Sequence, residues 1–105
     1  MQFRSLFSLA LGSLVLASAS AQLRVATYNV TTYNGDRIPE FQTIFYGTYL
    51  GRQFAPDIIL GQEFASDATA QTFLTMLNTA PGSPGDWARV PFENGPDCDN
   101  TAFYR

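Results

Sequence analysis

Residues 23–30 read LRVATYNV and form the most strand-like stretch of the sequence. Apolar and β-branched side chains recur there at every second position, which is the period of a β-strand. Valine, threonine and tyrosine, which favour strands, make up half of the stretch. It therefore predicts a central strand, with Asn29 near the carboxyl end of that strand.

Downstream of this strand, the sequence predicts a turn and then a helix. An Asn-Gly pair marks a turn within residues 31–35, and Pro39 stands where a helix can begin. Apolar residues then recur at spacings of three and four, which predicts an amphipathic helix over residues 39–50 that ends at Gly51. The residues of this stripe are Phe41, Ile44, Phe45, Thr48 and Tyr49.

The rest of the chain continues the alternation of strands and helices. Residues 58–60 form a short apolar run, which predicts a strand covered on both faces. Ser66 or Asp67 can cap a helix that runs to about Asn78. The apolar stripe of this helix consists of Ala70, Phe73, Leu74 and Leu77. The remaining predicted segments are a loop at 81–85, an edge strand at 87–92 and a strand at 101–104. This order of elements predicts an α/β or α+β fold.

The first 21 residues have the pattern of a secretory signal peptide. A short positive segment ending at Arg4 precedes an uncharged apolar run, and Ala19-Ser20-Ala21 matches the small-residue cleavage pattern. The run is shorter than the ~20 residues that cross a bilayer as a helix, so cleavage after Ala21 is preferred to a permanent membrane anchor. The sequence therefore predicts a secreted or periplasmic protein with one domain at residues 22–105.

Composition limits the kinds of site that these residues can form. The net charge is −3 and all six basic residues are arginines, which are spread along the chain and offer nucleic acid no electrostatic footprint. Histidine is absent, so an imidazole general base cannot come from these residues. Cys98 is the only cysteine, which excludes an intrachain disulfide and a multi-thiolate zinc site. The lack of a basic patch weakens any interpretation as a nuclease, although a bound metal ion can attract a phosphate without one.

Two polar residues lie where strands are predicted to end: Asn29 near the end of the first, and Glu63 just past the second. Ligands of open α/β sheets bind at the carboxyl ends of the strands. If the two strands are parallel neighbours, these ends lie within about 5–10 Å, and a carboxylate and an amide oxygen there can share one hard cation. Spacing alone leaves open a solvated loop carboxylate or a helix cap.

Three segments, LRVATYNV at 23–30, APDIILGQEF at 55–64 and DNTAFYR at 99–105, resemble the opening of the endonuclease/exonuclease/phosphatase superfamily, which has the deoxyribonuclease I-like fold. The most specific part is Tyr-Asn-Val followed later by Pro-Asp-Ile-Ile-x-x-Gln-Glu. The resemblance implies a four-layered sandwich of two sheets flanked by helices. Residues 22–105 would be its first half, so the domain is expected to be incomplete.

The resemblance also assigns roles to individual residues. It implies that Glu63 ligates a divalent cation, with Mg²⁺ as first choice and Ca²⁺ or Mn²⁺ as alternatives, and that Asn29 orients or binds the same ion. Asn100 is a candidate for contact with a substrate phosphate, whereas Gln62 is interpreted as structural. The superfamily's Asp-x-Asn element and its catalytic His–Asp pair have no counterpart in this chain, which alone is therefore expected to be inactive.

The predicted function is a metal-dependent phosphoric ester hydrolase, with a secreted phosphodiesterase or endonuclease as first choice. Thr31 occupies a position that is often Asp in the abasic-site repair endonucleases, which disfavours that branch. The alternatives are a sphingomyelinase-like phospholipase or an exported phosphatase of the same fold, and a non-catalytic secreted fragment or binding domain. The implied partner is a phosphate ester in nucleic acid or in a phospholipid headgroup, and the sequence indicates no protein partner.

Overall fold

The computed structural model describes residues 22–105, so the predicted signal peptide at 1–21 lies outside the described residues. The elements in chain order are β1 (Val25–Tyr33), α1 (Ile38–Tyr46), β2 (Thr48–Tyr49), β3 (Arg52–Gln53), β4 (Ile58–Phe64), α2 (Asp67–Thr79), β5 (Ala88–Arg89) and β6 (Asp99–Tyr104). Within this part of the chain, neither helix is long and apolar enough to cross a bilayer.

Four of the strands form one sheet in the spatial order β1, β4, β6, β5. β1 and β4 are parallel neighbours, whereas β6 is antiparallel to β4, and β5 pairs antiparallel with β6 at the edge. The edge strand is shorter than predicted, since Pro91 has no N–H to donate to a ladder. A sheet of four strands with two helices confirms the mixed α+β class, and the deoxyribonuclease I-like sandwich stays a prediction.

Both helices pack on one face of this sheet, and the core lies between them and the strands. Ala26 and Val30 of β1, Ile59 of β4 and Phe103 of β6 point into it and are 6% exposed or less. Phe73 of α2 lies among the aromatic rings of this core and is fully buried. Burying one such apolar side chain stabilises the fold by about 1.5–3 kcal/mol, so this face is the main source of stability.

The opposite face of the sheet is open in the described residues. Val25 of β1, Leu60 of β4 and Tyr104 of β6 are 50%, 42% and 47% exposed. The prediction that residues 58–60 are covered on both faces is therefore wrong for this part of the chain. A compact apolar run has no period that shows how many of its faces are covered, and here α1 and α2 lie on the same side.

Helix α2 follows its sequence signals closely. Ser66 is the N-cap, and its hydroxyl accepts a hydrogen bond from the backbone N–H of Thr69, while the Thr69 hydroxyl accepts one from the N–H of Ser66. This reciprocal pair satisfies two N–H groups that the first turn leaves free. The buried residues are Ala70, Phe73, Met76 and Leu77. The predicted start and stripe are confirmed, with Leu74 only partly buried.

Helix α1 ends at Tyr46, four residues before the predicted end, so that boundary is wrong. Gly47 leaves the helix in extended geometry, and a Cβ at this position would collide with the carbonyl oxygen of Thr43. Thr48 and Tyr49 matched the helical spacing, but they belong to a hairpin, β2–β3, and both are exposed. The turn predicted within residues 31–35 also begins later, because Thr31 to Tyr33 continue β1.

We expect Leu50→Asn to raise the free energy of unfolding by about 0.5–1 kcal/mol. Leu50 and Gly51 form the two-residue loop of the β2–β3 hairpin with φ of 48° and 73°. Asparagine tolerates this left-handed geometry better than leucine, and Leu50 is 83% exposed, so little packing is lost. Chemical denaturation measures the change. Leu23→Asn, at a 70% exposed position outside the positive-φ set, is the control and should change stability little; equal effects in both variants would contradict the turn argument.

Asp57 joins three strands at the end of the sheet where β4 begins. Its Oδ2 accepts a hydrogen bond from the backbone N–H of Arg24, 2.9 Å away, and its Oδ1 lies 3.0 Å from Nη1 of Arg105. Arg105 also donates through Nε to Asp86, and this hydrogen bond lowers the pKa of the Asp86 carboxyl. Asp57 and Arg105 are thus tied together at one end of the sheet, away from the carboxyl ends of β1 and β4.

Candidate metal centre

Asn29 and Glu63 lie at the carboxyl ends of the parallel neighbours β1 and β4. Regular pairing of the two strands stops at Asn29 opposite Gln62 and resumes with Tyr33 opposite Phe64. Glu63 was predicted just past its strand, but it lies inside β4, at the interruption. The condition stated for the sequence, that the two strands are parallel neighbours, is met by the pairing of β1 with β4.

The interruption is a bulge on each side of Glu63. Against β1, Glu63 alone faces three residues, 30–32; against β6, Asn100 alone faces both Gln62 and Glu63. Regular alternation after Gly61 would turn Glu63 into the core, and the extra residue buries Phe64 instead. Gly61 is required for this arrangement, because a Cβ at that position would overlap the Phe64 ring. The bulge therefore keeps the Glu63 carboxylate out of the apolar core.

The backbone around Glu63 is held in unfavourable geometry. Thr31, Thr32 and Glu63 have φ of 53°, 51° and 67°, in the left-handed region that favours glycine. Each such residue costs about 1–2 kcal/mol, and β-branched threonine is among the least suited to it. Three of the six non-glycine residues with positive φ in the described chain thus surround one pair of polar side chains. Strain concentrated in this way is typical of functional sites.

Tyr33 anchors the far side of the bulge. Its side chain is fully buried against the rings of Phe41, Phe64 and Phe73. Burial, aided by the negative charge of Asp36, raises the pKa of the Tyr33 phenol, which therefore stays neutral. The strained segment is thus held between regular pairing on one side and a packed aromatic side chain on the other.

Three hydrogen bonds fix the polar groups of the site. Asn29 Nδ2 donates to Glu63 Oε1 at 2.8 Å, the backbone N–H of Thr32 donates to Glu63 Oε2 at 3.0 Å, and that of Thr31 donates to Asn29 Oδ1 at 2.8 Å. The amide of Asn29 can have only this orientation, since the reverse would set oxygen against oxygen and N–H against N–H. Each carboxylate oxygen of Glu63 keeps a lone pair for a further ligand.

The donor set fits a lightly coordinated hard cation. Mg²⁺ commonly binds through one or two carboxylates, several waters and substrate phosphates, whereas Ca²⁺ takes six to eight oxygen ligands and zinc takes nitrogen or sulfur. Among residues 22–105, no group of three or more His, Cys, Asp or Glu side chains is placed to hold a metal. The Glu63 carboxylate, oriented by Asn29 and the N–H of Thr32, is the group here that could hold such a cation. Asn29 Oδ1 accepts one hydrogen bond from Thr31 and keeps a second lone pair, so Asn29 can orient Glu63 and can also ligate the ion.

Comparisons with known proteins add no relative. No family model, curated protein or solved structure matches this chain. The resemblance to the endonuclease/exonuclease/phosphatase superfamily therefore rests on the three sequence segments alone. The geometry of Asn29, Glu63 and the bulges stands independently of that resemblance, and it is what a functional proposal must use.

Asn100 lies on β6 directly across from the bulge of β4 and is exposed. Together with Leu60, Gln62 and Val90 it lines a shallow depression of about 420 Å³ on the open face of the sheet. In the strand pairing Asn100 stands opposite Gln62 and Glu63, but Glu63 is not among the residues that line this depression. Gln62 donates through Nε2 to the carbonyl of Leu60 at 3.0 Å, which fits the structural role predicted for it.

One residue of the site escaped the sequence analysis. Arg37 donates through Nη2 to the carbonyl oxygens of Val30, at 2.8 Å, and Thr31, at 3.2 Å. Its partners are backbone atoms, so no pair of residue types in the sequence could have indicated the contact. Only its place a few residues after the predicted strand end was available as a signal.

Proposed function

We propose that this protein is an exported, metal-dependent phosphoester hydrolase, with a phosphodiester of nucleic acid as first-choice substrate. The observation that carries the proposal is the 2.8 Å hydrogen bond between Asn29 and Glu63, at the carboxyl ends of parallel strands and within strained backbone. A solvated carboxylate in a loop would need neither two hydrogen-bond donors nor neighbouring threonines with left-handed backbone geometry. The strain is accounted for if the direction of the carboxylate matters.

In such a site each residue would have a separate role. A bound Mg²⁺ would offset the charge of the phosphate and lower the pKa of a bound water. Glu63 would hold the ion, while Asn29 and the N–H of Thr32 keep both carboxylate oxygens in fixed directions. Asn100, across the bulge, would donate to a phosphate oxygen. The chain carries a net charge of −3, which makes a bound cation the main source of attraction for an anionic substrate.

A sphingomyelinase-like phospholipase and an exported phosphatase would use the same arrangement, so the substrate separates these branches. The competing class is a non-catalytic secreted fragment or binding domain. These 105 residues contain no histidine, so they do not supply the general base that the resemblance implies. An Asp-x-Asn element and a Ser-Asp-His-type element in the same coding sequence would support the enzyme, and a coding sequence without them would support the non-catalytic class.

We expect the product of the complete coding sequence to hydrolyse a phosphate ester only with a divalent cation present. Purified protein is assayed on DNA, sphingomyelin, a generic phosphodiester and a phosphomonoester, with Mg²⁺, Mn²⁺ or Ca²⁺ added after chelation by EDTA. Chelation should abolish the activity and Mg²⁺ should restore it. Hydrolysis that persists in EDTA would overturn the metal-dependent mechanism, and no hydrolysis of any substrate would support the non-catalytic class.

A further inference from the structure

Arg37 reaches from the start of α1 to the bulge of β1. Its Nη2 donates to the carbonyl oxygens of Val30 and Thr31, on the segment where pairing with β4 is interrupted. Backbone carbonyls at such an interruption need donors from outside the ladder. Arg37 thus donates hydrogen bonds to the segment in which Thr31 and Thr32 have left-handed backbone geometry.

The guanidinium of Arg37 is itself held in place. Its Nε donates to Asp36 at 3.0 Å, and its central carbon lies 5.4 Å from the centroid of the Phe41 ring. The carbonyl oxygen of Arg37 accepts the first hydrogen bond of α1, from the N–H of Phe41, and its side chain is 36% exposed. A carboxylate on one edge and an aromatic face leave the guanidinium little freedom, so it can act as a fixed support.

A short path of bonded groups leads from Arg37 to Glu63. Arg37 fixes the carbonyl of Thr31, the peptide that begins with this carbonyl ends in the N–H of Thr32, and this N–H donates to Glu63 Oε2 at 3.0 Å. A peptide is planar, so fixing its carbonyl also fixes the direction of its N–H. Rotation of the peptide would withdraw the donor from Glu63.

We propose that Arg37 is a positioning residue for the Glu63 carboxylate, acting through the Thr31–Thr32 peptide. Its expected effect on metal binding rests on the function proposed above, whereas its effect on the peptide does not. Lysine is a poor replacement, because a single ammonium cannot reproduce the planar fork that bonds the carbonyls through Nη2 and Asp36 through Nε.

The experiment compares Arg37→Ala, Arg37→Lys and the control Arg52→Ala, in which an exposed arginine of β3 is removed. Alanine keeps the Cβ, so the backbone strain at Arg37, with φ of 53°, is unchanged, while the guanidinium and the two methylenes that carry it are lost. Amide hydrogen exchange by NMR reads the Thr32 N–H directly, with α2 amides as a measure of global stability. A Mg²⁺ titration of the same samples reads the site.

We expect exchange at Thr32 to accelerate about tenfold in Arg37→Ala, and less in Arg37→Lys, relative to the α2 amides. The dissociation constant for Mg²⁺ should rise about tenfold in Arg37→Ala, as for other supports of a metal ligand, and stay unchanged in Arg52→Ala. If Arg37→Ala unfolds, the lysine variant decides. Unchanged Thr32 exchange in a folded variant would overturn the proposal.

The two proposals fail separately. If the wild type does not bind Mg²⁺ but Arg37→Ala still accelerates exchange at Thr32, the positioning inference stands and the proposed function falls. If the wild type binds Mg²⁺ and the Arg37 variants bind it equally well with unchanged Thr32 exchange, the proposed function stands and Arg37 has no positioning role.

Discussion

Replacing Phe73 by alanine is expected to lower the free energy of unfolding by about 3–5 kcal/mol. Phe73 has no exposed surface, and its ring lies 5.0–6.0 Å, centroid to centroid, from five other aromatic rings. These rings belong to Tyr33, Phe41, Phe45, Phe64 and Phe103. The substitution would leave a cavity shared by both helices and the sheet, and neighbours from several elements cannot all move in to fill it. A loss of this size is comparable to the total stability of many small domains.

Urea denaturation followed by circular dichroism measures the change, with Leu74→Ala as the matched control. Leu74 is the next residue of α2 and packs only partly against the core, so its truncation should cost clearly less. Phe73→Leu, which refills part of the volume, should fall between the two. A loss below about 1.5 kcal/mol in Phe73→Ala would show that the core does not centre on this ring.

The same residues show which parts of the fold the sequence could predict. Phe73 and Leu77 were placed on the apolar stripe of a helix because α2 has local signals: a capping serine, a helical period and a loop at residues 81–85 that ends it. Such signals act over a few residues, so a single sequence contains them in full. The parallel pairing of β1 with β4 was conditional in the sequence, and it follows from the crossover through α1.

Two of the errors, the end of α1 and the missed bulges, have a common physical origin, because both concern backbone geometry that residue types do not encode. The end of α1 was misplaced because Thr48 and Tyr49 kept the helical spacing by chance, while the hairpin turn at Leu50 lacks the usual Asn-Gly pair. The bulges were missed because Thr31, Thr32 and Glu63 adopt left-handed geometry without glycine. A period-two pattern cannot show where one residue is inserted.

The sequence could therefore predict which two residues form the candidate site, but not the hydrogen bonds that hold them. Polar residues at two strand ends, together with the superfamily resemblance, brought Asn29 and Glu63 together as an expectation. Their hydrogen bond, the donor from Thr32 and the support from Arg37 depend on the bulge, which only the structure shows. Most of these hydrogen bonds involve backbone donors or acceptors, which every residue type has, so the sequence does not indicate them.

Glu63→Gln is expected to weaken Mg²⁺ binding by more than tenfold, and to reduce hydrolysis by the complete gene product about a hundredfold or more. Glutamine has the shape of glutamate but no negative charge, and it offers one acceptor oxygen instead of two. Asn29 Nδ2 and the N–H of Thr32 each donate to a different oxygen of Glu63, so one of these donors loses its partner. We expect a further loss of about 0.5–1.5 kcal/mol in stability from the broken hydrogen bond.

Glu40→Gln is the matched control, because it removes one negative charge from an exposed position in the first turn of α1. Both variants change the net charge from −3 to −2, since each replaces one glutamate by a neutral residue, so a general electrostatic effect on cation binding would appear in both. Calorimetric titration gives the affinities, and the backbone NMR signals of Asn29 and Thr32 report where the ion binds. Equal affinities in Glu63→Gln, Glu40→Gln and the wild type would remove Glu63 from the metal site, and with it the proposed reason for the backbone strain at Thr31 and Thr32.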